Sequence, residues 1–362
     1  MGANLGVLLR SYMSHGGVSA RCLPQAALFL ASALARTPFS LLDHGIMSVR
    51  RSKVPCGKAP VFIVGYWRSG TTHLHNLMAC SPDFGIISPL ASGLPGEMLT
   101  LARWFRPLLE RSLPDTRGVD QVAVTPNSPQ EDEIPIASMH PFSVFHALYF
   151  PRQFRERFNQ GVFFDDVSPA EVALWERRVR YFMAKVVRHQ GKETILVKNP
   201  VYTARIRQLL AIWPDAKFIH IYRNPYDVFA SSVHYFTKMI AELAMQEVEQ
   251  LDLAEQILQT YPRMLDRLSA DTAGLPSRQF CEVKYEQLEA NPLAELERVF
   301  GRLELPGWSE FTGPMETYLR SISRYSKNRY AHPDAQCARV ESAWLRYIER
   351  WGYERPRDVD AS

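Results

Sequence analysis

Cysteine is scarce and shows no pairing pattern: Cys22, Cys56, Cys80, Cys281 and Cys337 are odd in number and widely scattered, with no Cys-x-x-Cys pair and no histidine nearby at ligand spacing. That speaks against a disulfide framework and a cysteine metal centre, and it suits a reducing compartment. An excess of one charge is also missing. The 42 basic and 38 acidic residues leave a net charge of +4, too near balance to argue for a nucleic-acid partner. A membrane-spanning apolar run is missing as well, since Leu23 to Ala35 falls short of the roughly 20 residues a span needs.

That apolar stretch, preceded by Arg10 and Arg21 and ending in Ala33-Leu34-Ala35, imitates a secretory signal. The region before it is long and broken by Arg10, which does not fit one. Met1-Gly2 would suit myristoylation, but Gly6 stands where Ser or Thr is wanted. We expect residues 1–55 to form a helical extension packed on the domain, in contact with a membrane surface or lining an acceptor pocket. Residues 56–362 are expected to form the main domain. With 362 residues, 46% apolar and 22% charged, the composition is that of an ordinary globular protein with a sizeable core.

The most informative stretch runs from Pro60 to Met78. Pro60 to Val64 is rich in β-branched and aromatic side chains and runs into Gly65; after Gly70 the apolar spacing becomes Leu74, Leu77, Met78. The period changes from strand to helix across one short loop. Such a loop aims the first N–H groups of the helix outward at the positive end of its dipole, which suits a phosphate or sulfate group. Gly65-x4-Gly70 has the spacing of a P-loop, but Thr71 stands where that loop carries Lys, and the nearest cation is Arg68.

Further along, Gly85 to Ser88 reads as a short strand ended by Pro89, and Leu94 to Leu113 as a helix. Ser128-Pro129-Gln130-Glu131 has the form of a helix start, with Ser128 as N-cap and Glu131 closing a capping box. Glu131, Asp132 and Glu133 place three acids beside apolar positions, where a carboxylate can become a base. The helical wheel puts Glu133 on one face with Ala137 and His140, which favours Glu133 over Glu131 as that base; capping explains either acid equally well. The aromatic run from Phe142 to Phe164 reads as core, part of it walling an acceptor pocket with His140 and His146.

Two later apolar runs read as interior strands of a parallel sheet. Thr194 to Val197 delivers Lys198 to a strand's carboxyl end, where open α/β sheets bind ligands. Lys217 to Tyr222 delivers Arg223, a guanidinium suited to a second phosphate, where a nucleoside triphosphatase would carry a Mg²⁺-binding acid. Arg223-Asn224-Pro225 then opens a helix bearing Asp227 and Ser231.

Arg68-Ser69-Gly70-Thr71-Thr72 resembles the 5′-phosphosulfate loop of the sulfotransferases that use 3′-phosphoadenylyl sulfate (PAPS), and Arg223 to Ser231 resembles their 3′-phosphate motif. Tyr285-Glu286-Gln287-Leu288 before Asn291-Pro292 is similar to the segment where their Tyr lies against adenine. Ser326-Lys327-Asn328-Arg329-Tyr330 is loosely similar to their C-terminal phosphate-covering loop, a solvated charge run being the other reading. The order of motifs looks most like the bacterial-type branch. His73 replaces the Trp of the cytosolic small-molecule branch, and no His follows Lys198 at the position of that branch's base.

The resemblance implies an α/β fold of three layers, a central parallel β-sheet flanked by helices. It implies that Arg68, Ser69, Gly70, Thr71 and Thr72 hold the 5′-phosphosulfate. Lys198 with Arg68 would stabilise the leaving oxygen, Arg223 and Ser231 would select the 3′-phosphate, Tyr285 would lie on the adenine, and Lys327 and Arg329 would cover the phosphates. Glu133 or Glu131 would take the acceptor's proton, and no metal would be needed. The acceptor would be a hydroxyl-bearing small molecule, lipid or glycan, and the reaction cytoplasmic, where the donor is made. Two rivals stand beside this reading: a P-loop kinase or NTPase, and a catalytically silent nucleotide-binding protein.

Overall fold

The computed structural model describes residues 2–49, 58–111, 113, 125–248, 251–322 and 330–356. Five short strands, β1 (Val61–Val64), β2 (Phe84–Gly85), β3 (Thr194–Lys198), β4 (Lys217–Tyr222) and β5 (Phe280–Lys284), form one sheet in the order β2-β3-β1-β4-β5. Every neighbouring pair is parallel, with Ile63 opposite both Lys198 of β3 and Ile219 of β4. β1 is wholly buried because helices cover both faces. Phe62 and Val64 point into a core with Trp175, Phe182 and Phe218; Val61 and Ile63 point into a second core with Leu74, Leu77 and Leu196. The alternation of one strand thus serves two helical layers.

The apolar strands lie where the sequence places them, and the differences fall between them. β2 is only two residues long. The single helix expected over Leu94 to Leu113 is instead a pair of one-turn helices, Leu101–Trp104 and Arg106–Glu110, because Pro95 and Pro107 remove the N–H groups that a continuous helix would use. The helix expected to start at Ser128 starts at Glu133 and runs to Met139, with Asp132 as N-cap. Residues 125–132 are a turn and an extended stretch: Thr125 N–H donates to Ser128 Oγ at 2.8 Å, and Gln130 N–H donates to Ile87 at 2.8 Å. Glu131 therefore closes no capping box.

Before the sheet, the described residues are helical at Leu5–Ser14, Ala20–Cys22 and Leu23–Val49. The apolar segment does not end at Ala35. Arg36 turns inward instead of ending it, and Ala20–Val49 is long and apolar enough to cross a membrane by length and composition. Two buried ion pairs dock this helix on the domain. Arg36 makes two 3.0 Å bonds to Glu97 and donates to the Ala3 carbonyl at 2.9 Å. Asp43 meets Lys185 at 2.8 Å and accepts from Leu99 N–H and Thr100 Oγ; Lys185 also donates to the carbonyls of Pro95 and Gly96.

Candidate active site

The loop after β1 is shaped by its backbone. Gly65 has φ 150° and Gly70 φ 97°, and Arg68 adopts a left-handed φ of 68° without being glycine. A Cβ at Gly70 would lie 2.2 Å from the Tyr285 ring, and one at Gly65 would lie 2.4 Å from the Ile221 carbonyl. Only glycine lets the loop come this close to the ends of β4 and β5. Gly65 N–H donates to Thr203 Oγ1 at 2.8 Å, and Ser69 Oγ donates to the Tyr66 carbonyl at 2.7 Å, which fixes the turn from within. Gly70 then caps the helix Thr71–Met78 without a side chain, leaving its first-turn N–H groups to an anion, with Thr71 and Thr72 on that turn.

The two cation motifs meet here. Arg68 Nε donates to Ser231 Oγ at 3.0 Å, and Ser231 Oγ donates to Tyr330 Oη at 3.1 Å. Arg223 lies over the Tyr285 ring at 4.6 Å and contacts Asp227 at 3.3 Å. His73 stands edge-on to Tyr285 at 6.3 Å. Residues from the ends of three strands and from the helix Pro225–Leu243 thus converge on one opening. Lys327 and Arg329 lie outside the described residues; Tyr330 of the same segment is the member that reaches Ser231.

Of the three acids, Glu131 pairs with a lysine while Asp132 and Glu133 share Asn199. Lys198, 1% exposed at the end of β3, is ion-paired to Glu131, whose side chain is 21% exposed. Asp132 is buried, accepts from Tyr202 Oη and from Asn199 Nδ2 at 2.8 Å, and burial pushes its pKa up to about 7, with the Glu133 charge adding to the rise. Glu133 is buried: it accepts from Ser143 Oγ at 2.6 Å, Asn199 Nδ2 at 2.9 Å and Val144 N–H at 3.3 Å. Of the two acids named as candidate bases, Glu133 is thus the more enclosed. Glu133 ties the helix to its surroundings, and Glu131 is the acid with an exposed edge beside the lysine.

His140 and His146 are buried as neutral rings; burial lowers them to about 4 and about 3. His146 lines a cavity of about 90 Å³ with Tyr149, Phe150 and the Gly2, Ala3 and Tyr12 side of the N-terminal helices, so only part of the aromatic run borders open space. Sequence reasoning missed Thr203, Asn199 and Tyr235, the last lying 5.7 Å from the Arg68 guanidinium. Asn199-Pro200 directly after Lys198 was the available signal.

A glycine-shaped anion loop at the carboxyl end of a parallel sheet, with a second guanidinium one strand away and a lysine–carboxylate pair at the end of the neighbouring strand, suits an enzyme of group transfer from an anionic donor. A model of the sulfotransferase family matches residues 60–310, and the chain belongs to that family. The omega-hydroxy-beta-dihydromenaquinone-9 sulfotransferases Stf3 of Mycobacterium bovis and Mycobacterium tuberculosis are each 28% identical over 330 residues, 91% of this chain and 84% of theirs. Sulfotransferase STF9 from Mycobacterium avium superposes with a TM-score of 0.65 at 14% identity, covering 98% of both chains. Sulfotransferase STF1 from Mycobacterium tuberculosis H37Rv gives 0.63 at 21% identity, over 95% of this chain and 91% of that one. These two structures share its fold.

Proposed function

We propose that this sulfotransferase takes its sulfuryl group from PAPS, in the cytoplasm, and passes it to the hydroxyl of a small molecule or lipid. The loop supports the donor: its two glycines let the backbone pass tightly against the Ile221 carbonyl and the Tyr285 ring, its N–H groups suit the 5′-phosphosulfate, and Arg223 and Ser231 suit a 3′-phosphate. When bound, PAPS supplies an activated sulfuryl group with adenosine 3′,5′-bisphosphate as leaving group. The chain holds the acceptor oxygen in line, removes its proton and balances charge at the departing phosphate. Lys198 and Arg68 serve the departing charge, and Glu131 receives the proton.

The observation that carries this reading is the Lys198–Glu131 pair at the end of β3, next to the strand that leads into the loop. A cation and a proton acceptor side by side suit a reaction in which one oxygen loses a proton as another gains charge. A lipid hydroxyl is supported by the relative named for omega-hydroxy-beta-dihydromenaquinone-9. The test is to incubate the protein with PAPS radiolabelled in sulfur and a panel of hydroxylated quinones, sterols and phenols. Label should pass to an acceptor without Mg²⁺, and Lys198→Ala should lower kcat much more than it weakens binding of adenosine 3′,5′-bisphosphate. Turnover of Mg²⁺-ATP would favour the kinase reading, and tight bisphosphate binding without transfer to any acceptor would favour the silent one; either defeats the proposal.

A further inference from the structure

The helix Leu23–Val49 is inverted relative to an ordinary surface helix. Its two charged residues, Arg36 and Asp43, are buried and paired to the domain. Its outer face carries exposed Leu28, Leu34, Leu41, Leu42 and Val49. A helix lying on a soluble domain normally shows the reverse arrangement.

Across a groove from its second half lie the one-turn helices 101–104 and 106–110, joined to it by the Phe39–Trp104 ring contact at 6.1 Å. Here Trp104 is 60% and Leu108 65% exposed, with Phe105 beside them. Arg103, Arg106 and Arg111 are exposed in the same stretch, and Arg21 is exposed at the other end of the long helix. Arg106 is paired to Glu110 at 2.6 Å, and Arg188, Lys192 and Glu193 line the same groove. Leucines and aromatics rimmed by arginines match the boundary between acyl chains and anionic headgroups. The buried, paired Arg36 and Asp43 keep the helix seated on the domain, an arrangement that suits lying along a bilayer surface rather than crossing one.

We propose that this face docks the protein peripherally on an anionic lipid bilayer. The proposal does not depend on which acceptor is sulfated, and its test reads binding, so it can fail while the transfer reading stands. The full chain is floated with vesicles of phosphatidylcholine mixed with phosphatidylglycerol, and with phosphatidylcholine alone. The wild type should rise with the mixed vesicles and be released as salt is raised. Arg103→Gln with Arg106→Gln should weaken binding roughly 30-fold, at about 1 kcal/mol per arginine. Leu34→Glu with Leu41→Glu should weaken it at least roughly 10-fold. All four positions are exposed, and unchanged melting temperature and bisphosphate affinity would show that fold and site survive. Failure of the wild type to float with either vesicle overturns the proposal. So does a dimer in sedimentation that Leu41→Glu splits while flotation is unaffected, since the face would then belong to a second copy.

Discussion

Lys198 and Lys185 are both buried lysines paired to a carboxylate, and they sit in opposite settings. Lys185, under the Leu23–Val49 helix, meets a fully buried Asp43 and two carbonyls, and Asp43 is saturated by two further donors. Lys198 meets Glu131, whose side chain keeps an exposed edge. A closed pair of this kind fixes where one element lies on another; an open pair can exchange its partner for a ligand. Burial of a charge therefore says little about its role until the surroundings of the partner are known.

The comparison breaks first at Glu131. Glu131→Gln should lower kcat by roughly 10²–10⁴, with a loss of stability smaller than that of breaking the closed pair, since the Gln carbonyl still accepts from Lys198 and the site is partly exposed. Glu133→Gln should act the other way, costing about 1–3 kcal/mol of stability through disrupted buried hydrogen bonds while most of kcat survives. Paired rate and denaturant measurements on both variants decide it; equal kcat losses would place the proton acceptor elsewhere in the cluster.

That experiment also marks how far sequence reading reaches. β1, β3 and β4 were legible because each is a short apolar run leading into a glycine or an Asn-Pro pair, and the anion loop because its residues lie within one short stretch. The partner of Glu131 was not legible: Lys198 lies 67 residues away, and local capping chemistry explained the acid equally well. Arg36 misled for the same reason. A charge in an apolar run reads as its end unless Glu97, 61 residues on, is known to receive it.

The closed pair is tested by Lys185→Met, which strands Asp43 and should cost about 3–5 kcal/mol of stability in urea melts while leaving bisphosphate affinity unchanged. Adding Asp43→Leu should recover part of that loss, whereas no second substitution should restore kcat to Glu131→Gln.

Arg223 sharpens the contrast from the open side. Arg223→Ala should remove about 1.5–3 kcal/mol of the preference for adenosine 3′,5′-bisphosphate over adenosine 5′-phosphate, measured by calorimetry without Mg²⁺. Equal affinities of the wild type for the two nucleotides would refute the 3′-phosphate assignment.

The smallest effect, per pH unit, is a stability slope from Asp132. Its folded pKa, about 7, lies above the ordinary 3.8, so the fold favours the protonated acid. Its contribution to stability is full below the ordinary value and is lost as pH rises through about 7. Unfolding free energy should fall across that window by at most about 1.4 kcal/mol per pH unit, and Asp132→Asn should flatten the slope.

The central place of β1 sets an order of events during synthesis. Gly65 is anchored by Thr203, 138 residues later, and Arg68 by Ser231, 163 residues later. Such distant pairings form slowly, because a long loop must close before any of them is rewarded. A nascent chain that has not yet released the Pro225–Leu243 helix carries the complete anion-loop sequence but lacks the partners that hold its shape. Donor recognition therefore matures only with the later half of the domain, and a bisphosphate added during refolding should favour the last, fully assembled state over its precursors.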